Sequence, residues 1–317
     1  MSFSKNVVRL VNEEYENKRI KNEGLKDSRL IEVYSKIPEI RAIDKELSST
    51  GVNILAVAIG SKDSYNEKLA ELRARNQELQ EKRNQLLIKN GYSEDYTDLH
   101  YDCKVCQDYG VNGGKLCSCY KNRLIEEQFK LSGISNLIKT QSFETFSLDL
   151  YENKEEMGEL LRFAENYVKD FATIKENVLF AGGTGLGKTH LSTAIAKALI
   201  EKCYNVIYET AQNIFFDFDN DRFRDRFSDE EPVSQKYLDC DLLIIDDLGS
   251  EAINSFTVSC LYNIINTRLN KNLPIIASTN LSSKEIRAKY HDRITSRLFG
   301  EFTIKMFHGN DLRKIKK

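Results

Sequence analysis

Two hydrophobic patterns divide this 317-residue chain: a charge-rich first part with apolar residues at helical spacing, and a later part in which short apolar runs alternate with amphipathic stretches. In residues 1–50, Val7, Leu10, Val11 and Ile20 stand among many charges, which predicts helix, and Pro38 interrupts near a turn. Residues 69–87 contain neither Gly nor Pro. Leu69, Leu72, Leu79 and Leu86 fall there on heptad a and d positions, with Asn76 and Arg83 in the two remaining places. Glu71 with Arg75 and Glu78 with Lys82 add acid-before-base pairs four apart, the order a helix surface prefers. This run fits two readings, an amphipathic helix packed in a hairpin of its own domain or a partner-binding coiled coil. Asn90-Gly91 ends the helix, and Ser132-Gly133 breaks a further charged helix around 122–130.

Beyond about residue 140, strands are predicted at 177–181, 205–209, 242–246, 274–278 and 302–307, mostly separated by helix-length segments. That alternation implies an α/β domain whose parallel sheet is covered on both faces. The expected organisation is a mainly α-helical N-terminal domain over 1–140 and an α/β domain over 141–317. Composition agrees with a globular chain, at 41% hydrophobic and 30% charged residues. The longest candidate stretch, 52–59, is about half of the ~18 to 20 residues needed to cross a bilayer. The first residues also lack the apolar core of a signal peptide, so a cytoplasmic location without a membrane partner is expected. Net charge is −2 overall, +2 over the first 140 residues and −4 over the rest. Bulk electrostatics therefore cannot hold this chain on nucleic acid; contact with DNA needs a local patch.

The strand at 177–181 runs into Gly182-Gly183-Thr184-Gly185-Leu186-Gly187-Lys188-Thr189, which fits G-x-x-x-x-G-K-[ST], and His190 opens a helical stretch. Glycines let the backbone curl so that successive N–H groups face phosphate oxygens, and the helix adds its positive end. Lys188 is expected to reach the β and γ phosphates of ATP, and the Thr189 hydroxyl to ligate Mg2+. The nucleotide-binding set is Gly182 to His190. Next, the run Leu242 to Ile245 delivers Asp246 and Asp247 to a strand end. Asp246 reads as the Mg2+-side acid and Asp247 as the group that polarises the attacking water, with Glu251 a rival base if the loop curls back. The strand at 274–278 ends in Thr279-Asn280, and a neutral amide there can hydrogen-bond both γ-phosphate and water. Such an Asn favours a molecular-machine ATPase over a small-molecule kinase.

Together with Ala277-Ser278-Thr279-Asn280, Arg293-Ile294-Thr295-Ser296-Arg297-Leu298 and Gly309-Asn310-Asp311-Leu312-Arg313, these stretches resemble an AAA+ ATPase. Within that superfamily, residues 140–317 are similar to the bacterial replicative-helicase loaders of the DnaC/DnaI family and the related IstB transposition helpers. The resemblance implies a five-stranded parallel sheet, ATP at a subunit boundary and hence self-association through the ATP site. It places on Arg297 the arginine donated to a neighbour's ATP, with Arg293 a nearby rival, and on Arg313 a sensor contact to nucleotide in its own subunit. It also implies a replicative DNA helicase as partner, bound by the N-terminal domain. A transposase helper and a nucleotide-binding adaptor with little hydrolysis are the alternatives, the latter because Asp247 is one methylene shorter than the Glu common in active AAA+ enzymes.

Cys103-x2-Cys106 and Cys117-x-Cys119 flank a turn-rich stretch, 110–115. Four soft thiolates in two close pairs suit a structural Zn2+ site; an iron–sulfur cluster and bystander thiols are the other readings. A similar cysteine segment occurs in Gram-positive members of the loader family. Finally, residues 215–227 interleave Phe216, Phe218 and Phe223 with Arg222, Arg224 and Arg226, a combination that can stack and hold single-stranded DNA. Asp217, Asp219, Asp221, Asp225 and Asp229 outnumber those arginines and favour a solvated helical insertion instead. The basic Lys314, Lys316 and Lys317 read as a solvated tail.

Overall fold

The computed structural model describes residues 3–59, 65–134, 136–223 and 232–314. The chain divides into two compact units, Asn12–Cys119 and a second formed by Met1–Val11 with Tyr120–Lys317.

The first unit contains helix α1 (Lys5–Lys36) from Asn12 onward, then α2 (Pro38–Ile59) and α3 (Tyr65–Lys89). Pro38 occupies the first position of α2, where its missing N–H is no loss and its fixed φ suits the helix. Helix α3 packs against α2, the hairpin arrangement. The polar heptad positions find partners across that hairpin: Arg83 Nε lies 2.6 Å from Asp44, and Thr50 Oγ1 donates to Asn76 Oδ1 at 2.8 Å. Val33, Ile37, Ile40 and Leu87 form the buried centre. Beyond Gly91, at φ +82°, the chain reaches a two-stranded antiparallel hairpin, β1 (Val111–Asn112) and β2 (Lys115–Leu116).

The second unit is an α/β layer structure. Five strands, β3 (Asn177–Gly182), β4 (Val206–Thr210), β5 (Leu242–Leu248), β6 (Ile275–Thr279) and β7 (Phe302–Phe307), form one sheet in the order β4-β5-β6-β3-β7. All pairings are parallel, and each strand lies within two residues of its expected position. Alternation along the strands separates two cores. Val178, Phe180, Val206, Tyr208, Leu242 and Ile244 face α5 (Lys154–Asp170) and α6 (Lys188–Glu201). Leu179, Ile207, Leu243, Ile245, Ile275 and Ala277 face α7 (Ala211–Arg222), α9 (Ser255–Asn270) and α11 (Asp292–Gly300). Two further short helices are α8 (Gln235–Asp239) and α10 (Ser283–Lys289).

The units part between Cys119 and Tyr120. The reason is that α4 (Ser118–Leu131) and the turn after it are bound to the sheet edge. Gln128 Nε2 donates to Asn205 Oδ1 at 3.0 Å, and the Tyr208 N–H donates to the Ser132 carbonyl at 2.9 Å. At φ +82° Gly133 lies so close that a Cβ there would stand 2.5 Å from the Tyr208 carbonyl oxygen. Among the described residues no helix is long and apolar enough to cross a membrane.

Candidate functional site

The loop after β3 curls at the carboxyl edge of the sheet, where three strands deliver polar side chains. Three of its glycines, Gly182, Gly185 and Gly187, are required by the fold. Gly187 is the N-cap of α6 at φ +93°, and a Cβ there would lie 2.2 Å from the Tyr151 hydroxyl. That hydroxyl donates to the Leu186 carbonyl at 3.2 Å, and burial pushes the phenol up to about 12. Gly183 and Thr184 are exposed at the tip. Lys188 is buried and folds back over the loop, donating to the carbonyls of Gly182 at 2.7 Å and Gly183 at 2.6 Å and to Asn280 Oδ1 at 2.8 Å. Burial holds its ammonium below the usual lysine range, although Asp246 and Asp247 oppose the shift.

Opposite the loop, β5 and β6 lose regular register between Ile245 and Leu248. The irregularity lets two consecutive carboxylates serve one site, because Asp247 adopts a left-handed φ of +58°. Its N–H donates to Ser278 Oγ at 2.9 Å, and Asn280 Nδ2 donates to its Oδ1 at 2.7 Å. Asn280 thus joins Lys188 to Asp247. Asp246 accepts from Thr189 Oγ1 at 3.3 Å and Tyr208 OH at 2.7 Å on Oδ2, and from Ser278 Oγ on Oδ1. Desolvation, then the Asp246 charge, drives the Tyr208 phenol far above its ordinary range and keeps it a donor. A carboxylate beside a hydroxyl is an all-oxygen set suited to a hard cation such as Mg2+.

Tyr208 and Ser278 carried no site assignment from the sequence. The two-residue alternation puts Tyr208 on the face of Asp246 only once β4 is known to neighbour β5, and that adjacency is tertiary.

Glu251 goes elsewhere. It is buried, accepts from the Gly249 N–H at 2.7 Å and from the Tyr290 hydroxyl, and so closes its own turn. His190 also engages its surroundings, with Nε2 2.9 Å from the Ser142 carbonyl and 3.2 Å from Thr145 Oγ1, and with Phe146 packed edge-on at 5.2 Å. Arg313 sits beside the loop: Leu312 N–H donates to the Gly185 carbonyl at 3.1 Å, and Arg313 Nε pairs with Asp311 at 3.3 Å. Arg297 is half-buried on α11, with Nη2 2.8 Å from Asn266 Oδ1 and 3.3 Å from the Tyr262 hydroxyl on α9. Arg293, one turn earlier, is exposed and lines a groove of about 520 Å³ with Tyr262.

In the first unit the four thiols of Cys103, Cys106, Cys117 and Cys119 all lie within 4.8 Å of one another. Gly113 and Gly114, both at positive φ, turn the hairpin between the pairs. Asp108 anchors the first pair by accepting from the N–H groups of Asp102 at 2.9 Å and Cys103 at 2.8 Å. Donation from the Cys106 backbone holds the Cys103 thiol down to about 7, while burial pushes Cys119 up to about 12. Mutual distances of this size and four sulfur donors fit a tetrahedral soft-metal site.

Of the residues 215–227, those at 224–227 lie outside the described part, as do Asp229, Lys316 and Lys317. Phe216 and Phe223 are 65% and 80% exposed, and Arg222 stacks 4.7 Å from the Phe256 ring centroid above a groove of about 720 Å³. Phe218 instead packs against the core.

A family profile described as "IstB-like ATP binding protein" matches residues 123–305. The phage-like element PBSX protein XkdC of Bacillus subtilis is 28% identical over 200 residues, covering 57% of this chain and 73% of that protein. The replicative helicase loader DnaC of Escherichia coli K12 is 28% identical over 180 residues, covering 56% and 71%. Among solved structures, the DnaC helicase loader superposes with a TM-score of 0.48 at 20% identity, over 55% of this chain and 99% of that one. DnaI gives 0.46 at 20%, over 59% and 100%. With the phosphate loop, the paired acids and the five-stranded sheet in place, the chain belongs to the IstB-like ATP-binding protein family, of the AAA+ P-loop ATPase type.

Proposed function

We propose that this protein is an ATP-dependent loader of a replicative DNA helicase, acting in the cytoplasm. The observation that carries the reading is the match to the loader DnaC, which spans most of that protein. In this reading the N-terminal domain binds the helicase, and the compact unit Asn12–Cys119 within it is stabilised by Zn2+ on Cys103, Cys106, Cys117 and Cys119. Zinc bound to such a set contributes roughly 10 to 16 kcal/mol to folding.

The ATPase domain holds triphosphate on the amides of residues 182–190, with Lys188 leaving the loop carbonyls for the phosphates. Thr189 and Asp246 hold Mg2+, which when bound neutralises developing phosphate charge. Asp247 accepts the proton of the attacking water, and Asn280 orients that water beside the γ-phosphate. Arg297, whose guanidinium rests on Tyr262 and Asn266 of α9, serves a neighbouring subunit's ATP, and Arg313 contacts nucleotide in its own subunit. Exposed Phe216 and Phe223 beside Arg222 support contact with single-stranded DNA by stacking.

A second reading, an ATPase helper of a transposase, is favoured by the IstB-like profile. Tagged full-length protein, recovered from its host with bound proteins identified by mass spectrometry and metal by elemental analysis, separates the two. Hexameric helicase should be retained by zinc-loaded wild type and lost from C106S/C119S. A transposase in its place supports the second reading, and recovery of neither from wild type overturns both.

A further inference from the structure

We propose that Tyr208 is a positioning residue for the divalent cation that accompanies ATP, acting through Asp246. The inference rests on the reading of Asp246 and Thr189 as the cation-side groups. In register Tyr208 stands opposite Ile244, so the strand alternation places it on the same sheet face as Asp246 two residues further on. From there its hydroxyl reaches Asp246 Oδ2 at 2.7 Å, closer than Thr189 at 3.3 Å. Ser278 holds the other oxygen from the opposite neighbouring strand. The carboxylate is therefore gripped on both oxygens by hydroxyl groups from three different elements, β4, α6 and β6.

Among these donors, Tyr208 is the one on Oδ2 that is not itself read as a cation ligand. It is 5% exposed, and its ring belongs to the core with Val206, Leu242 and Ile244, so ring packing and hydroxyl function are separable. Packing needs the ring. Only orientation of Asp246 needs the hydroxyl. Partners one step removed from a metal commonly carry about 10- to 100-fold in metal affinity, because a carboxylate that can rotate must be ordered again at each binding event.

The test uses full-length protein and a fluorescent N-methylanthraniloyl-ATP, with binding followed as Mg2+ is titrated and again in excess EDTA. For Y208F the Mg2+ concentration giving half of the metal-dependent gain in affinity should rise about tenfold. Affinity in EDTA should stay within about twofold, and high Mg2+ should restore wild-type binding, since what is lost is cation positioning and not the nucleotide pocket. Tyr208→4-fluorophenylalanine, which keeps the ring and fills the hydroxyl's space without donating, should shift the same way if Y208F melts too low to assay. If wild type responds to Mg2+ and both variants respond at the same concentration, the inference is overturned while the reading of the site survives. A wild-type protein whose ATP affinity ignores Mg2+ instead removes Asp246 and Thr189 from the cation site, and the inference with them.

Discussion

Replacing Asn280 isolates the group that joins Lys188 to Asp247. Its two ends do different work: Oδ1 accepts from Lys188 at 2.8 Å and Nδ2 donates to Asp247 at 2.7 Å. N280A removes both ends and leaves the phosphate loop intact, so ATP affinity should change by no more than a few-fold. Hydrolysis should fall about 10²- to 10³-fold, the usual loss when one oriented donor to a developing charge is deleted. N280D keeps the shape and the acceptor for Lys188 but sets a carboxylate oxygen against Asp247. Two unit charges at about 4 Å repel by about 4 kcal/mol at an effective dielectric near 20. Asn280 is exposed, so solvent reduces this to roughly 1 to 3 kcal/mol, on the order of 10- to 100-fold in affinity once a γ-phosphate adds its own charge. N280D should accordingly discriminate against ATP relative to ADP, and N280A should not. Equilibrium titration with fluorescent ATP and ADP, beside steady-state phosphate release, measures both quantities. Wild-type turnover by N280A, or equal preference of N280D for ATP and ADP, would refute the reasoning.

Three further outcomes are expected. Lys188→Met should abolish ATP binding yet leave the nucleotide-free protein at least as stable as wild type near neutral pH, because burial penalises the ammonium. The folded pKa lies below the unfolded value of about 10.5, so the unfolded chain binds more protons in the window just below that value. Wild-type stability should therefore rise with pH there, and urea midpoints of the two proteins should converge as the medium becomes alkaline. E251Q should keep most of its hydrolysis while its melting temperature drops, since Glu251 serves Gly249 and Tyr290, whereas D247N should melt normally and hydrolyse almost nothing; the opposite pattern would make Glu251 the base. Mixing R297A with D247N subunits should restore part of the ATPase activity absent from either alone, provided both bind ATP. Absence of recovery argues against an arginine shared between neighbours.

Whatever depends on near neighbours along the chain was legible in the amino-acid order alone. The phosphate loop is one continuous segment whose glycines and lysine act within eight residues. The five strands announce themselves because a buried parallel strand is an apolar run. Paired cysteines at short spacing, and a glycine turn between them, bring four thiols together by local geometry, and the structure gathers them within 4.8 Å. Leucines at heptad spacing forecast α3, but not its partner, because an apolar stripe has no direction; the pairing with α2 follows from Asp44 and Thr50 lying opposite Arg83 and Asn76.

Contacts between separate strands could not be read that way. Glu251 sits four residues from Asp247, within reach of either role, and its attachment to Tyr290 depends on how α10 returns to the turn after β5. His190 continues the phosphate motif, yet its ring engages Ser142 and Thr145 from a segment some 45 residues earlier. Most of all, the grip on Asp246 comes from Tyr208 and Ser278, which share no motif with it. Strand order makes them neighbours, and strand order is settled by packing two helical layers onto one sheet, a property of the whole chain that no short stretch carries.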